Sequence, residues 1–188
     1  MDRVVVTGLG ALTPIGNNLS TFWQNLLKGN SGAAAITKFD TSLFKTKFAC
    51  ELKDFDLNHH IPKSEAKRYD PFTSYALVAV EEALQNGNID LSGLDRNRIG
   101  VIWGSGNGGI QTFNDEMMNF AANGAVPRFN PFFIPKIIAD IASGVISIKH
   151  GLRGINFTTM SACATSTTAI IEAFNHIKWG KANMVITG

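Results

Sequence analysis

Four short runs rich in β-branched and apolar residues punctuate the sequence: Val4 to Thr7, Ile99 to Trp103, Ile155 to Met160 and Met184 to Thr187. The first ends in Gly8-Leu9-Gly10 and the second in Gly104-Ser105-Gly106-Asn107-Gly108-Gly109. Runs this short and apolar suit strands covered on both faces. Such strands belong to parallel sheets, because each crossover lays a helix over a face. Helix-spaced segments separate the runs, which predicts an α/β fold: a mostly parallel sheet with helices on both faces.

Asn18 or Ser20 caps a helix that runs through Leu27 and stops at Gly29. Asp70-Pro71 is a strong start signal, and Phe72, Ala76, Ala79 and Ala83 recur at helical spacing until Gly87. Further helices are predicted from Gly109 to about Ala122, over Pro135 to Lys149, and over Ala164 to Trp179. The Pro135–Lys149 segment is apolar on most faces, which suits burial in a core or under another subunit. Residues 30–63 follow no period apart from a short strand at Phe48 to Leu52.

The 188 residues carry 17 Lys and Arg against 15 Asp and Glu, so no basic excess points to a nucleic-acid partner. Hydrophobic residues make up 45 %, enough to bury a core. Two cysteines, Cys50 and Cys163, form no disulfide framework, and no Cys/His spacing suggests a metal. Cys50, after Phe48-Ala49, reads as core. No signal peptide is visible. The charge-free stretch from Gly154 to Ile171 holds too many hydroxyls for a membrane helix. A soluble, cytoplasmic chain without a membrane partner is the expectation.

Ser161-Ala162-Cys163-Ala164-Thr165-Ser166 lies where a strand passes into a helix. A cysteine there meets free N–H groups and the positive end of the helix dipole, which favour its thiolate. The same N–H groups can receive an oxyanion, the logic of a nucleophile elbow with sulfur in place of oxygen. Position alone leaves this reading beside that of a buried, inert thiol. The Gly104–Gly109 loop has the G-x-G-x-x-G spacing of a dinucleotide site. No acid follows at the required distance, between Ala122 and Phe129, so it reads as a flexible or closely packed loop beside a pocket. Lys63, Lys67, Arg68 and Arg128 read either as solvated charges or as a dock for an acidic partner. His59-His60 lacks metal-ligand spacing, and His150 and His176 read as structural.

Taken together, these motifs resemble the β-ketoacyl-acyl-carrier-protein synthases, closest to the type II elongating enzymes. The resemblance rests on Val4 to Gly10 with Thr13-Pro14-Ile15-Gly16, Ile99 to Gly109, Asn130-Pro131-Phe132-Phe133-Ile134-Pro135, Lys149 to Gly154 and Ser161-Ala162-Cys163, in the family's order and spacing. It covers all 188 residues and implies a thiolase-like layered α/β fold, of which residues 1–188 are the amino-terminal part. It implies Cys163 as the acyl-accepting nucleophile, with its N–H as half of an oxyanion hole and no cofactor. It implies acyl- and malonyl-carrier protein as partners, met by Lys63, Lys67, Arg68 and Arg128. A homodimer is implied as well, with Phe133 reaching the partner's acyl pocket. Asn107 matches a tunnel-lining position that is often apolar, which leaves a polyketide or specialised lipid ketosynthase open beside fatty acid elongation. A non-catalytic carrier-protein-binding subunit is opposed by the cysteine. The family's two catalytic histidines and its lysine match no residue here, so this chain alone is not expected to condense acyl groups.

Overall fold

Asn18 caps the first helix, α1 (Leu19–Leu27), as expected: its side chain accepts from the Thr21 N–H at 2.8 Å. The computed structural model describes residues 3–188, and the chain divides into two compact units. One unit comprises Thr7–His60 and Val78–Ile89. It holds α1 and a two-stranded antiparallel ribbon, β1 (Ala34–Ala35) with β2 (Phe48–Ala49). The ribbon is too short to build a face, and Phe48 is largely exposed. Cys50 directly follows it and is exposed, which corrects its assignment to the core.

After α2 (Lys63–Ala66) comes α3 (Pro71–Asn86), whose start and end fall where Asp70-Pro71 and Gly87 place them. The Asp70 carboxylate accepts from the Phe72 N–H at 3.3 Å. Val4 to Thr7 corrects the expected central strand: it pairs with no strand among the described residues, and Val5 and Val6 are 54 % and 77 % exposed. An apolar run specifies an extended backbone, not the neighbour that covers it. Just beyond it, the Leu9 N–H donates to Asn86 Oδ1 at 3.0 Å and the Ala11 N–H to Glu82 Oε2 at 2.8 Å. These backbone donors are satisfied by helix side chains rather than by a ladder.

The other unit, built on Ile61–Leu77 and Asp90–Gly188, contains the parallel sheet. Along the chain follow β3 (Ile99–Gly104), α4 (Ile110–Ala122), α5 (Phe133–Ile137), α6 (Ile141–His150), β4 (Asn156–Thr159), α7 (Thr165–Lys178) and β5 (Met184–Thr187). The strand order is β4-β3-β5, all parallel, with Val101 opposite Asn156 and Ile99 opposite Met184. The period of two sorts the faces. Ile102, Ile155, Phe157 and Val185 pack on Ala169 and Ala173 of α7. On the opposite face Asn156 and Thr158 meet Ser143 of α6: the Asn156 amide donates to the Ser143 carbonyl at 2.9 Å, and the Thr158 hydroxyl to Ser143 Oγ at 3.3 Å. Helices thus cover both faces, as predicted.

The single helix expected over Pro135–Lys149 is two, α5 and α6, separated at Ile138–Asp140. The reason is tertiary. The Ile137 carbonyl, which a continuous helix would bond to Ile141, accepts instead from the Gly109 N–H at 3.1 Å. One face of α6 is core, with Ala142, Val145 and Ile146 buried, while Ile148 is 81 % exposed. A 3₁₀ turn at Arg96–Arg98 fastens two helix ends. The Arg96 guanidinium donates to the His150 carbonyl closing α6, and Arg98 Nη2 to the Gly180 carbonyl beyond α7 at 2.6 Å. Cations so placed also oppose the negative helix ends. His176 is buried edge-on against Phe157 and Trp179, a structural place. Among the described residues no helix is long and apolar enough to cross a membrane.

Candidate active site

In an open parallel sheet, the loops that leave the carboxyl ends of adjacent strands make the crevice where ligands bind. Here two such loops are neighbours: Ser105–Gly109 after β3, and Met160–Ala164 after β4. The Ser105 N–H donates to the Thr159 carbonyl at 3.3 Å, joining the two at their roots.

The second loop carries Cys163. Ser161 ends the extended stretch, and Ala162, Cys163 and Ala164 form a 3₁₀ turn that runs directly into α7. Ala162 has φ of 49°, in the left-handed region that a residue with a Cβ rarely occupies. Such a strained strand-to-helix turn is how an elbow presents its side chain to solvent. Cys163 is exposed, and among the described residues no backbone carbonyl accepts from its N–H. Ala164, at the cap position of α7, supplies no side chain to the helix's first N–H groups.

The strain is held by hydroxyls. Thr165 Oγ1 accepts from the Ser161 N–H at 2.9 Å and donates to the Ala162 carbonyl at 2.7 Å. Ser161 Oγ and Thr168 Oγ1 lie 2.9 Å apart, and Thr168 Oγ1 donates to the Ala164 carbonyl at 2.9 Å. Sequence reading did not single out Thr165 or Thr168. The signal was present in the hydroxyl-rich run from Ser161 to Thr168, which far exceeds what one helix cap requires.

The glycine loop is closely packed at Gly108 and Gly109, while Gly106 faces open space. A Cβ on Gly108, whose φ is 66°, would lie 2.3 Å from the Ile137 carbonyl oxygen. The Gly108 N–H donates to Ser105 Oγ at 3.1 Å. The glycines therefore admit α5, which answers the dinucleotide-like spacing with a packing reason. Asn107 stands in this loop and is exposed.

Phe133 opens α5 and is half-buried. It stacks on Phe129 at 5.3 Å and on Phe113 at 6.4 Å between centroids, and Phe129 stacks on Phe120 at 5.6 Å. Lys63, Lys67, Arg68 and Arg128 are all exposed. The Arg68 guanidinium lies 5.8 Å from the centroid of the Phe132 ring, which ties the end of α2 to the loop that also carries Arg128. Among the described residues no group of three His, Cys, Asp or Glu is placed to hold a metal ion.

Residues 1–188 match the family model described as Beta-ketoacyl synthase, N-terminal domain. The chain is 46 % identical over 186 residues to 3-oxoacyl-[acyl-carrier-protein] synthase 2 of Staphylococcus aureus, covering 99 % of this chain and 45 % of that protein. It is 41 % identical over 186 residues to the synthase of the same name from Synechocystis sp., covering 99 % of this chain and 44 % of that one. The chain thus spans slightly less than half the length of these relatives. Among solved structures it resembles a type II PKS acyl-carrier protein in complex with its ketosynthase bound to the hexaketide (TM-score 0.76, 28 % identity, 95 % of this chain and 47 % of that chain). It also resembles the ishigamide ketosynthase/chain length factor (TM-score 0.86, 25 % identity, 95 % and 44 %).

Proposed function

The chain belongs to the β-ketoacyl synthase family, and from that membership we propose that it provides the nucleophilic half of a 3-oxoacyl-[acyl-carrier-protein] synthase. The observation that supports this is the exposed Cys163 in a left-handed strand-to-helix turn at the carboxyl end of a parallel sheet. The Cys163 sulfur attacks the thioester carbonyl of an acyl-carrier protein. The carbonyl bond to the phosphopantetheine sulfur breaks, the acyl group passes to Cys163, and the thiol proton leaves with the released carrier thiol. Sulfur suits both directions, being a good nucleophile and a good leaving group. The Cys163 N–H, which has no backbone acceptor among the described residues, is available to the developing oxyanion.

In the second half-reaction malonyl-carrier protein loses carbon dioxide, and its carbanion equivalent attacks the Cys163 thioester. A carbon–carbon bond forms, the bond to Cys163 breaks, and the 3-oxoacyl product stays on the carrier while the thiol regains a proton. Nothing among residues 1–188 matches the histidines that the family uses to stabilise that carbanion, so this step needs groups that they do not supply. Lys63, Lys67, Arg68 and Arg128 offer cations to an acidic carrier protein, and a homodimer acting in the cytoplasm completes the reading. Asn107 and Phe133 are its acyl-chain contacts. The identity of 46 % to a synthase 2, against 28 % and 25 % to the ketosynthase structures, favours fatty acid elongation over polyketide assembly.

The test is to incubate the 188-residue chain with acyl-carrier protein and look for the adduct by peptide mass spectrometry. The expected result is an acyl group on Cys163 and none on Cys50, absent from Cys163→Ala, with no 3-oxoacyl product when malonyl-carrier protein is added. An adduct distributed equally over both cysteines would overturn the assignment.

A further inference from the structure

We propose that Thr165 is the positioning residue of the nucleophile, holding the Cys163 turn in its left-handed form through the two hydrogen bonds of one hydroxyl. The proposal rests on the reading of Cys163 as nucleophile and adds what sets its geometry. Thr165 is the first residue of α7, yet its hydroxyl serves nothing in that helix. Both bonds run backward, from the Ser161 N–H at 2.9 Å and to the Ala162 carbonyl at 2.7 Å, on the two residues that lead into Cys163. The second of these residues, Ala162, directly precedes Cys163 and has φ of 49°. Strain at a non-glycine residue persists only where its surroundings over-determine it.

Thr165 is itself pinned. It is 5 % exposed, and its carbonyl accepts from the buried Thr159 hydroxyl at 3.0 Å. Its methyl is seated against the end of β3, where a Cβ on Gly104 would come within 2.8 Å of Thr165 Cγ2. The sheet therefore places Thr165, and Thr165 places the turn. Thr168 adds a second tie outside the turn, through Ser161 Oγ and the Ala164 carbonyl.

The experiment is iodoacetamide alkylation of the whole chain, with the Cys163 rate read against Cys50, which is also exposed and serves as internal reference. It needs no acyl transfer, so failure of the acylation reading and failure of this inference are seen separately. Thr165→Val keeps the shape and removes both bonds. We expect the Cys163 rate to fall roughly tenfold relative to Cys50, the factor that two neutral hydrogen bonds at the lower end of their usual strength correspond to. Thr165→Ser, which retains the hydroxyl, should stay within about twofold of the parent. Adding Ala162→Gly to Thr165→Val should recover most of the loss, because glycine adopts the left-handed region unaided. An unchanged Cys163 rate in folded Thr165→Val, an equal loss in Thr165→Ser, or no recovery with Ala162→Gly overturns the proposal. If Thr165→Val does not fold, amide exchange in the unsubstituted chain decides: a protected Ser161 N–H supports the hydroxyl bond, and exchange at the rate of a free amide refutes it.

Discussion

Ala162 and the two tyrosines illustrate how single residues report on their surroundings. A left-handed alanine costs about 1 kcal/mol, and here the two hydrogen bonds of the Thr165 hydroxyl, to Ser161 and Ala162, offset that cost. Tyr69 and Tyr75 are the only tyrosines in the chain, so their titration is read without overlap. Burial, followed by the Glu65 charge and hydrogen bond, pushes the Tyr69 phenol above its ordinary value. Burial, followed by the Asp70 charge, does the same at Tyr75. A folded value above the unfolded one means a contribution to stability that is full below the unfolded value of about 10 and lost as pH rises through the folded value. Ultraviolet titration is therefore expected to show both phenols ionising late, with unfolding promoted at the alkaline end. Ionisation at the free-phenol value in the folded chain would contradict the burial of both rings.

At the level of elements, Asp70 joins two helix starts. One oxygen accepts from the Phe72 N–H in α3 and the other from the Thr112 N–H in the first turn of α4, at 2.8 Å, while the residue is 3 % exposed. Removing a buried acceptor leaves donors without partners, which costs more than the bond itself. Asp70→Ala is expected to lower stability by about 2 kcal/mol, and Asp70→Asn, which keeps one carbonyl oxygen, by less. Urea midpoints measure both, and equal stability of Asp70→Ala and the parent would remove Asp70 from this role. The cap at Asp70 was legible because capping is local: one carboxylate, one proline and the helical period suffice. Its second bond to α4 was not, because Thr112 is 42 residues away. The α5–α6 break escaped for the same reason. Ile138-Ala139-Asp140 contains no helix breaker, and what ends the helix is a backbone donor from Gly109.

Across the whole molecule, the distribution of large apolar side chains differs from what periodicity implies. In α7 the residues against the sheet are small, Ala169 and Ala173, and let the helix approach Ile102 and Phe157. The large ones, Ile170, Ile171 and Phe174, point away and are 54 %, 51 % and 46 % exposed. An exposed apolar row of this kind binds hydrophobic dyes. We expect the chain to enhance the fluorescence of an anilinonaphthalene dye, and Ile170→Lys with Phe174→Lys to reduce it while changing stability by less than about 0.5 kcal/mol. A large loss of stability would show that these side chains are core after all.

The strand–turn–helix order around Cys163, the cap at Asp70 and a first helix capped at Asn18 or Ser20 were determined by the amino-acid sequence alone. Each depends on residues within about one helical turn of one another, where side-chain chemistry acts directly on its own backbone. The tertiary structure decided which strands pair, which face of α7 turns inward, where the Pro135–Lys149 helix breaks, and that Ala162 adopts a left-handed backbone. Those outcomes depend on atoms brought together from distant stretches (Gly109 against Ile137, Gly104 against Thr165), and only close packing selects among the arrangements that local preference allows.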